Sequence, residues 1–295
     1  MKIQFLNGGL ANQVFQYIFW RFAILRNPNN GPWFLDDSFF FVHDVHNGYE
    51  LERVFGLKPD LLSDFFEPDV WEYMIGQKKE SNKSIPQMLL ENGIDMVMIA
   101  ETDNYTQWNP FSGQIESIRS NEFVPEITGL PGDIYYHGYW INKYWFDSYR
   151  DVFLKELEFS KITDRTNTEY ADLIRSTPSV SLHIRRGDFV DIGWALDPDV
   201  INRMVEVMLR DVPDMTLFVF SDDINWCKDN RKDLGLDKAK ETVFIEGNSG
   251  ENSFRDLQLM SMCRNMIMGP SSFNYLAALL NRDPDHILNI TGREV

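Results

Sequence analysis

The chain has 295 residues, 43% hydrophobic and 25% charged, which excludes general disorder and leaves room for two domains or one large one, with a sizeable core. Asp plus Glu number 45 against 28 Lys plus Arg, a formal net charge of -17, and that surface argues against nucleic acid or an anionic membrane as a partner. A small anion stays possible where a few arginines are focused in a cleft. Cys227 and Cys263 are the only cysteines, too few for a disulfide framework, so a reducing, cytoplasmic setting is expected. The start of the chain turns polar too soon for a signal peptide, and no run of 18 apolar residues occurs, so no membrane span is expected.

In chain order, Lys2 to Leu6 reads as a buried strand and Asn7-Gly8-Gly9 as a turn. Asn12 to Arg26 follows with Phe15, Phe19, Phe22 and Ala23 at helical spacing. The middle is less regular: Asp95 to Ala100 suits a strand and Asn104 to Gly113 a loop. Ile134 to Phe153 is crowded with aromatics in poor periodicity, which fits core, a seam between domains or a ligand wall. From Pro178 the pattern sharpens. Val180, Leu182 and Ile184 alternate with Ser179, Ser181 and His183 as in a strand. Asp197-Pro198 caps a helix carrying Ile201, Met204, Val205 and Met208. Met215 to Phe220 is an apolar run, Ile224 to Leu234 is expected to be helical, Thr242 to Ile245 a strand and Ser253 to Cys263 a helix. Asn265 to Met268 is a strand, Ser271 caps a helix to Leu280, and His286 to Ile290 is the last strand. Strands alternating with helices imply a parallel, doubly wound sheet, whose ligands sit beyond the carboxyl ends of the strands. That rule puts Arg185, Asp222, Asp223 and Ser271 on one rim.

Several residues there suit an anion. Arg185 and Arg186 follow a strand directly, and a guanidinium presents a planar fork of donors that matches phosphate oxygens. Adjacent side chains diverge on extended backbone, so one arginine is expected in the site and one elsewhere; the plainer reading is an ion pair with Asp188 or Asp191. His183 sits within the strand, where a histidine is more often a satisfied core group than a catalyst. Asn7-Gly8-Gly9 and Pro270-Ser271-Ser272 each lead into a helix, whose first amides can hold an anion or need only a cap. Asp222-Asp223 suits ribose hydroxyls, a base edge or a metal, although no third ligand stands near it. Asp256 lies at a helix start, where a carboxylate is favourable in any case.

These segments occur in an order that resembles the bacterial-type α-1,2-fucosyltransferases, glycosyltransferase family 11. The likeness rests on Gly8 to Tyr17, on Gly138-Tyr139-Trp140 with Lys143 to Phe146, and on His183 to Phe189. It continues through Phe220 to Ile224 with Trp226-Cys227-Lys228, and through Asp256 to Cys263 running into Ser271-Ser272-Phe273. The resemblance implies a GT-B fold, with two Rossmann-like domains facing across a cleft: residues 1–160 on the acceptor side and 161–295 holding the donor. It implies GDP-fucose as donor substrate, a galactose-containing oligosaccharide as acceptor, inversion at the sugar carbon, and neither cofactor nor metal. It assigns the diphosphate to Arg185, guanine to His183 and Asp256, and phosphate to Ser271 and Ser272 with Phe273. It adds Asp222 to the donor site and places Asn12 near the fucose. Asp188 and His137 are the candidate bases. Ala11 stands where the family usually has Gly, Pro270 replaces a common Asn, and Asn274-Tyr275-Leu276 replaces a tryptophan-rich continuation. Two alternatives follow from that altered helix: another GDP-sugar as donor, or a homologue that binds nucleotide or glycan without turnover. A dinucleotide-dependent oxidoreductase has only the α/β pattern behind it, because no Gly-x-Gly-x-x-Gly follows a strand.

Overall fold

A computed structural model describes residues 1–102, 115–119, 124–283 and 285–290. The expected loop Asn104 to Gly113 lies outside the described residues. The chain divides between Glu158 and Phe159 into two compact units, each built on a five-stranded sheet whose pairings are all parallel. The expected α/β class with two Rossmann-like units is what the structure shows.

In the N-terminal unit the strands are β1 (Lys2–Phe5), β2 (Trp33–Asp36), β3 (Val97–Thr102), β4 (Ile115–Arg119) and β5 (Ile134–His137), in the order β2-β1-β5-β3-β4. The helix Leu10–Arg26 starts two residues before the expected position, directly after Gly9, and is buried on nearly every side. Its Phe19 stacks on Trp140 at 4.3 Å and meets the edge of Trp145 at 5.2 Å. The aromatic stretch Ile134 to Phe153 is therefore mainly core: Tyr135, Tyr136, Trp140, Trp145, Phe146 and Phe153 are buried, and Tyr139 and Tyr144 are exposed. Burying an aromatic side chain of this kind contributes about 2 kcal/mol.

The C-terminal unit holds β6 (Ser179–Ile184), β7 (Thr216–Ser221), β8 (Glu241–Phe244), β9 (Asn265–Met268) and β10 (Leu288–Ile290), ordered β10-β9-β6-β7-β8. The alternation read in β6 does not mark a wet face, because all six of its residues are buried. Helices cover both sides of such a sheet, so its serines find partners instead of water. Ser179 Oγ accepts the Arg264 N–H at 2.9 Å. The helix Pro198–Asp211 buries Ile201, Met204, Val205 and Met208 in the same core as Val180, Leu182 and Ile184. Asp197 caps it by accepting the Asp199 N–H at 2.8 Å. The helix expected to run from Ile224 to Leu234 stops at Asp229. Asn230 folds back there, its side-chain amide donating to the Trp226 carbonyl at 2.9 Å, and Gly235 turns the chain at φ +70°. Leu234 is fully buried from that turn, which is why its apolar character resembled more helix. Cys227 and Cys263 are both free and buried in this unit. Among the described residues no helix is long and apolar enough to cross a membrane.

Candidate functional site

The strand order brings the carboxyl ends of β9, β6 and β7 side by side. Arg185 leaves β6 there. Its Nη2 lies 2.7 Å from Asp188 Oδ1 and its Nη1 2.8 Å from Asp222 Oδ2. The second oxygen of Asp222 accepts the Arg186 backbone N–H at 2.8 Å. Gly187 is required by this arrangement, since a Cβ there would stand 2.7 Å from Asp222 Oδ2. Arg186 turns away. Its guanidinium lies 3.5 Å from the centre of the Trp226 ring and its Nε 3.5 Å from Asp223 Oδ2. Asp223 in turn caps the helix Ile224–Asp229, accepting the Trp226 N–H at 3.2 Å.

The two side chains diverge, as expected on extended backbone, and Arg185 pairs with Asp188. Two arginines against three aspartates (+2 and -3) leave a slight negative excess. An anionic ligand must therefore rely on directed donors more than on net charge. A guanidinium has five N–H groups, and among the described residues Arg185 meets two carboxylates, through Nη1 and Nη2. The Asp222-Asp223 pair is occupied by protein partners on both residues. Among the described residues no three His, Cys, Asp or Glu side chains converge as a metal cage.

His183 is 9% exposed and its Nδ1 has no hydrogen-bond partner among the described residues. Burial pushes its pKa down to about 4, with Asp222 opposing and Arg185 assisting, so the ring is neutral near pH 7. Its ring centre is 5.6 Å from that of Phe273. Ser271 caps the helix Ser272–Leu280, its Oγ accepting the Phe273 N–H at 3.3 Å. His183, Arg185 and Ser271 line one small cavity together with Phe189, Trp194 and Leu196. The last three were not named as site residues, although Phe189 closes the segment His183 to Phe189 on which the family resemblance rests; Trp194 and Leu196 follow it in sequence.

Asp256 stands in a different cluster. Asn248 Nδ2 donates to its Oδ1 at 2.8 Å, and Asn248 and Asn167 exchange amide hydrogen bonds at 2.8 and 2.9 Å. Burial raises the Asp256 carboxyl to about 7, with the Asn248 bond opposing. No hydrogen bond or ion pair between described residues joins Asp256 to the Arg185 group, and spacing gave no hint of Asn167 or Asn248.

Asn12 and His137 belong to the N-terminal unit. Asn12 packs against Gly8, where a Cβ would fall 2.7 Å from its Nδ2, and Gly8 itself has φ +78°. The loop amides there are partly used: Gln16 Oε1 accepts the Asn7 N–H at 3.0 Å, and Gln13 Nε2 donates to the Gly8 carbonyl at 2.9 Å. His137 ends β5 against the edge of Phe5 at 5.0 Å. Burial lowers its pKa, while Asp36 opposes this and Lys78 adds to it. Asp36 is held by the Tyr135 hydroxyl at 2.5 Å and the Ser38 N–H at 2.9 Å. Neighbouring Asp37 is pushed by burial to about 6, against the bonds it accepts from Ser63.

Comparison with known proteins decides the family. The family model described as glycosyl transferase family 11 matches residues 100–291, about two thirds of the chain. The chain belongs to glycosyltransferase family 11. This family 11 chain is 28% identical over 284 residues to an alpha-1,2-colitosyltransferase of Escherichia coli, covering 93% of this chain and 86% of that protein. It is 24% identical over 302 residues to the O-antigen biosynthesis glycosyltransferase WbnK of Escherichia coli, covering 96% and 91%. Among solved structures, POFUT1 in complex with GDP-fucose aligns over 99% of this chain and 98% of its own, at 13% identity and a TM-score of 0.49.

Proposed function

We propose that this family 11 glycosyltransferase moves fucose from GDP-fucose to the 2-hydroxyl of a galactose in an oligosaccharide acceptor, with inversion and without a metal. Residues 161–295 serve the donor and residues 1–160 the acceptor. The reading is carried by Arg185, fixed at the end of β6 by Asp188 and Asp222 beside the neutral ring of His183 and the helix start at Ser271. In the reaction the acceptor oxygen attacks the sugar carbon from the face opposite GDP. The bond from that carbon to the β-phosphate oxygen breaks, and its electron pair leaves with GDP. Arg185, with Ser271, Ser272 and the amides at the start of their helix, meets the charge that builds on the phosphate. Phe273 supports the ring of His183, while His183 and Asp256 hold guanine. Asp222 acts through Arg185, and Asn12 lies near the fucose. The hydroxyl proton passes to His137 or to Asp188. His137 is suited by a neutral ring; Asp188 is suited by its place beside Arg185.

A second reading keeps the chemistry and changes the sugar. It is favoured by the 28% identity to an alpha-1,2-colitosyltransferase, and by the altered helix after Ser272. One experiment separates the readings: incubate the protein with a panel of GDP-sugars and galactosides and identify products by mass spectrometry. A deoxyhexose added to galactose at O2 is the expected result. Preference for another GDP-sugar supports the second reading. Absence of both transfer and GDP release above a no-protein control leaves a non-catalytic binding protein and sinks the proposal.

A further inference from the structure

In the N-terminal unit the strands β2, β1 and β5 end side by side, closed by Asp36, Phe5 and His137. The Phe5 ring has two polar neighbours. The His137 ring meets it at 5.0 Å, and the Lys78 ammonium, on the helix Pro68–Ser81, stands 5.1 Å from its centre. Phe5, Lys78 and His137 are all half-buried, at the edge of solvent. The carboxylates around them are occupied. Asp36 accepts the Tyr135 hydroxyl and the Ser38 N–H, and Asp37 accepts the Ser63 N–H at 3.1 Å and its hydroxyl at 2.6 Å.

Lys78 and His137 are not occupied in this way. Among the described residues the Lys78 ammonium has one hydrogen bond, to Ser38 Oγ at 2.6 Å, and no ion pair, which leaves two of its three N–H groups without a protein partner. Neither ring nitrogen of His137 has a hydrogen-bond partner among those residues. A half-buried ammonium with idle donors is costly, and a ligand oxygen would relieve that cost. Asp36 and Asp37 are near enough to act on its charge and offset it, which disfavours an anion here. A directed donor beside a neutral imidazole suits an uncharged polyol: one group gives a hydrogen bond to one hydroxyl, and the other accepts from its neighbour. We propose that Lys78 binds the acceptor sugar, its ammonium donating to the hydroxyl next to the attacked one, while His137 takes the proton of the attacked hydroxyl. On a galactoside that neighbour is the 3-hydroxyl, because oxygen 1 carries the aglycone. As oxygen 2 bonds to the donor's sugar carbon, the bond to GDP breaks with its electron pair, and the proton moves to a ring nitrogen of His137. The inference rests on the transfer to galactose proposed above; it adds the residue that orients the acceptor and takes His137 over Asp188 as the base.

The test compares methyl β-galactoside with its 3-deoxy analogue as acceptors, using the preferred GDP-sugar. Wild type is expected to lose about 10- to 100-fold in kcat/KM on the deoxy acceptor, as for one hydrogen bond to a charged group. Lys78→Met is expected to lose as much on the parent acceptor and to use the two acceptors within about twofold of each other. Its GDP dissociation constant is expected to match wild type. A second readout is the acid limb of the kcat/KM profile, where the base becomes protonated. The charged groups facing His137 are Asp36 from β2, which raises its pKa, and Lys78, which lowers it. Loss of the ammonium therefore moves that limb up by about one pH unit. Equal use of both acceptors by wild type overturns the role of Lys78, needs no variant to fold, and leaves the transfer reading standing. A folded Lys78→Met that keeps the full deoxy penalty overturns it too, and so does one that binds GDP more weakly. Lys78→Gln replaces that variant if it does not fold. An unmoved acid limb overturns His137 as the base beside Lys78. A wild type that binds GDP but transfers sugar to no galactoside overturns the transfer reading, and the inference with it.

Discussion

Two strand-to-helix turns of this molecule follow the same topological rule and are wired in opposite ways. After β1, the turn at Gly8-Gly9 is held by neutral amides. Gln13 donates to the carbonyls of Gly8 and Gly48 and accepts the Glu50 N–H at 2.9 Å, and Gln16 is bound to Asn7 through both ends of its amide. After β6, the turn at Gly187 is held by two arginines and three aspartates. Both glutamines are at most 1% exposed, whereas the Arg185 side chain is 34% exposed. The amide lock is satisfied within the protein and has little left to offer a ligand. The charged clamp reaches solvent with donors to spare. Being at the carboxyl end of a parallel strand is shared by both; the difference lies in which turn keeps unspent hydrogen-bonding capacity.

Substitutions probe that contrast. The largest effect is expected from Arg185→Ala: loss of about 100- to 1,000-fold in transfer from the preferred GDP-sugar, with a melting temperature close to wild type. Retained activity would remove Arg185 from the donor site. Gln13→Leu should do the reverse. It strands two buried backbone groups, at a cost of about 4 kcal/mol in denaturant unfolding, while donor affinity per folded molecule stays the same. If it weakens GDP binding without loss of stability, the two turns are not divided as described.

The third effect depends on pH. His183 has a folded pKa of about 4, below its ordinary value, so the unfolded chain takes up the proton first. The stability due to its neutral ring is complete above pH ~6.5 and is lost as pH falls towards ~4, by about 3 kcal/mol in all. Asp256 runs the other way: its carboxyl is raised to about 7, so its contribution is lost as pH rises through that value. Unfolding curves of wild type and His183→Asn across this window isolate the histidine; parallel pH profiles would contradict a buried neutral ring. The smallest effect is expected from Arg186→Ala. It removes a stacking contact with Trp226 and a long ion pair, for about 1 kcal/mol of stability, and changes kcat/KM little. A drop comparable with that of Arg185→Ala would mean that both arginines work on the donor.

Much of the C-terminal unit was legible because its strands are buried on both faces and its helices carry clear stripes, as in Pro198–Asp211. The rim was legible through topology alone: three parallel strands must end together. The N-terminal unit was harder. β2 is four residues long after Pro32, and the helices Ser38–Val42, Leu51–Phe55 and Leu62–Phe65 are too short to show a period. Long-range polar pairs left no trace in the sequence either. Asn167 and Asn248 stand 81 residues apart, and nothing local distinguishes their amides from those of any surface asparagine. The partners of Asp222, Arg185 and the Arg186 N–H, come from another strand, so its pairing left no local trace in the sequence.

The placement of the thiols has a practical consequence. The chain has two cysteines, and both are buried in the unit that begins at Phe159. Burial raises both thiols above their ordinary pKa, so neither reacts readily while covered. Labelling by a thiol reagent therefore acts as a built-in clock for one half of the molecule. Its rate reports the opening of the unit that carries Arg185, and opening of the other unit alone leaves it silent. If a GDP-sugar is held by the C-terminal unit, as proposed, it should slow that clock even before any product forms.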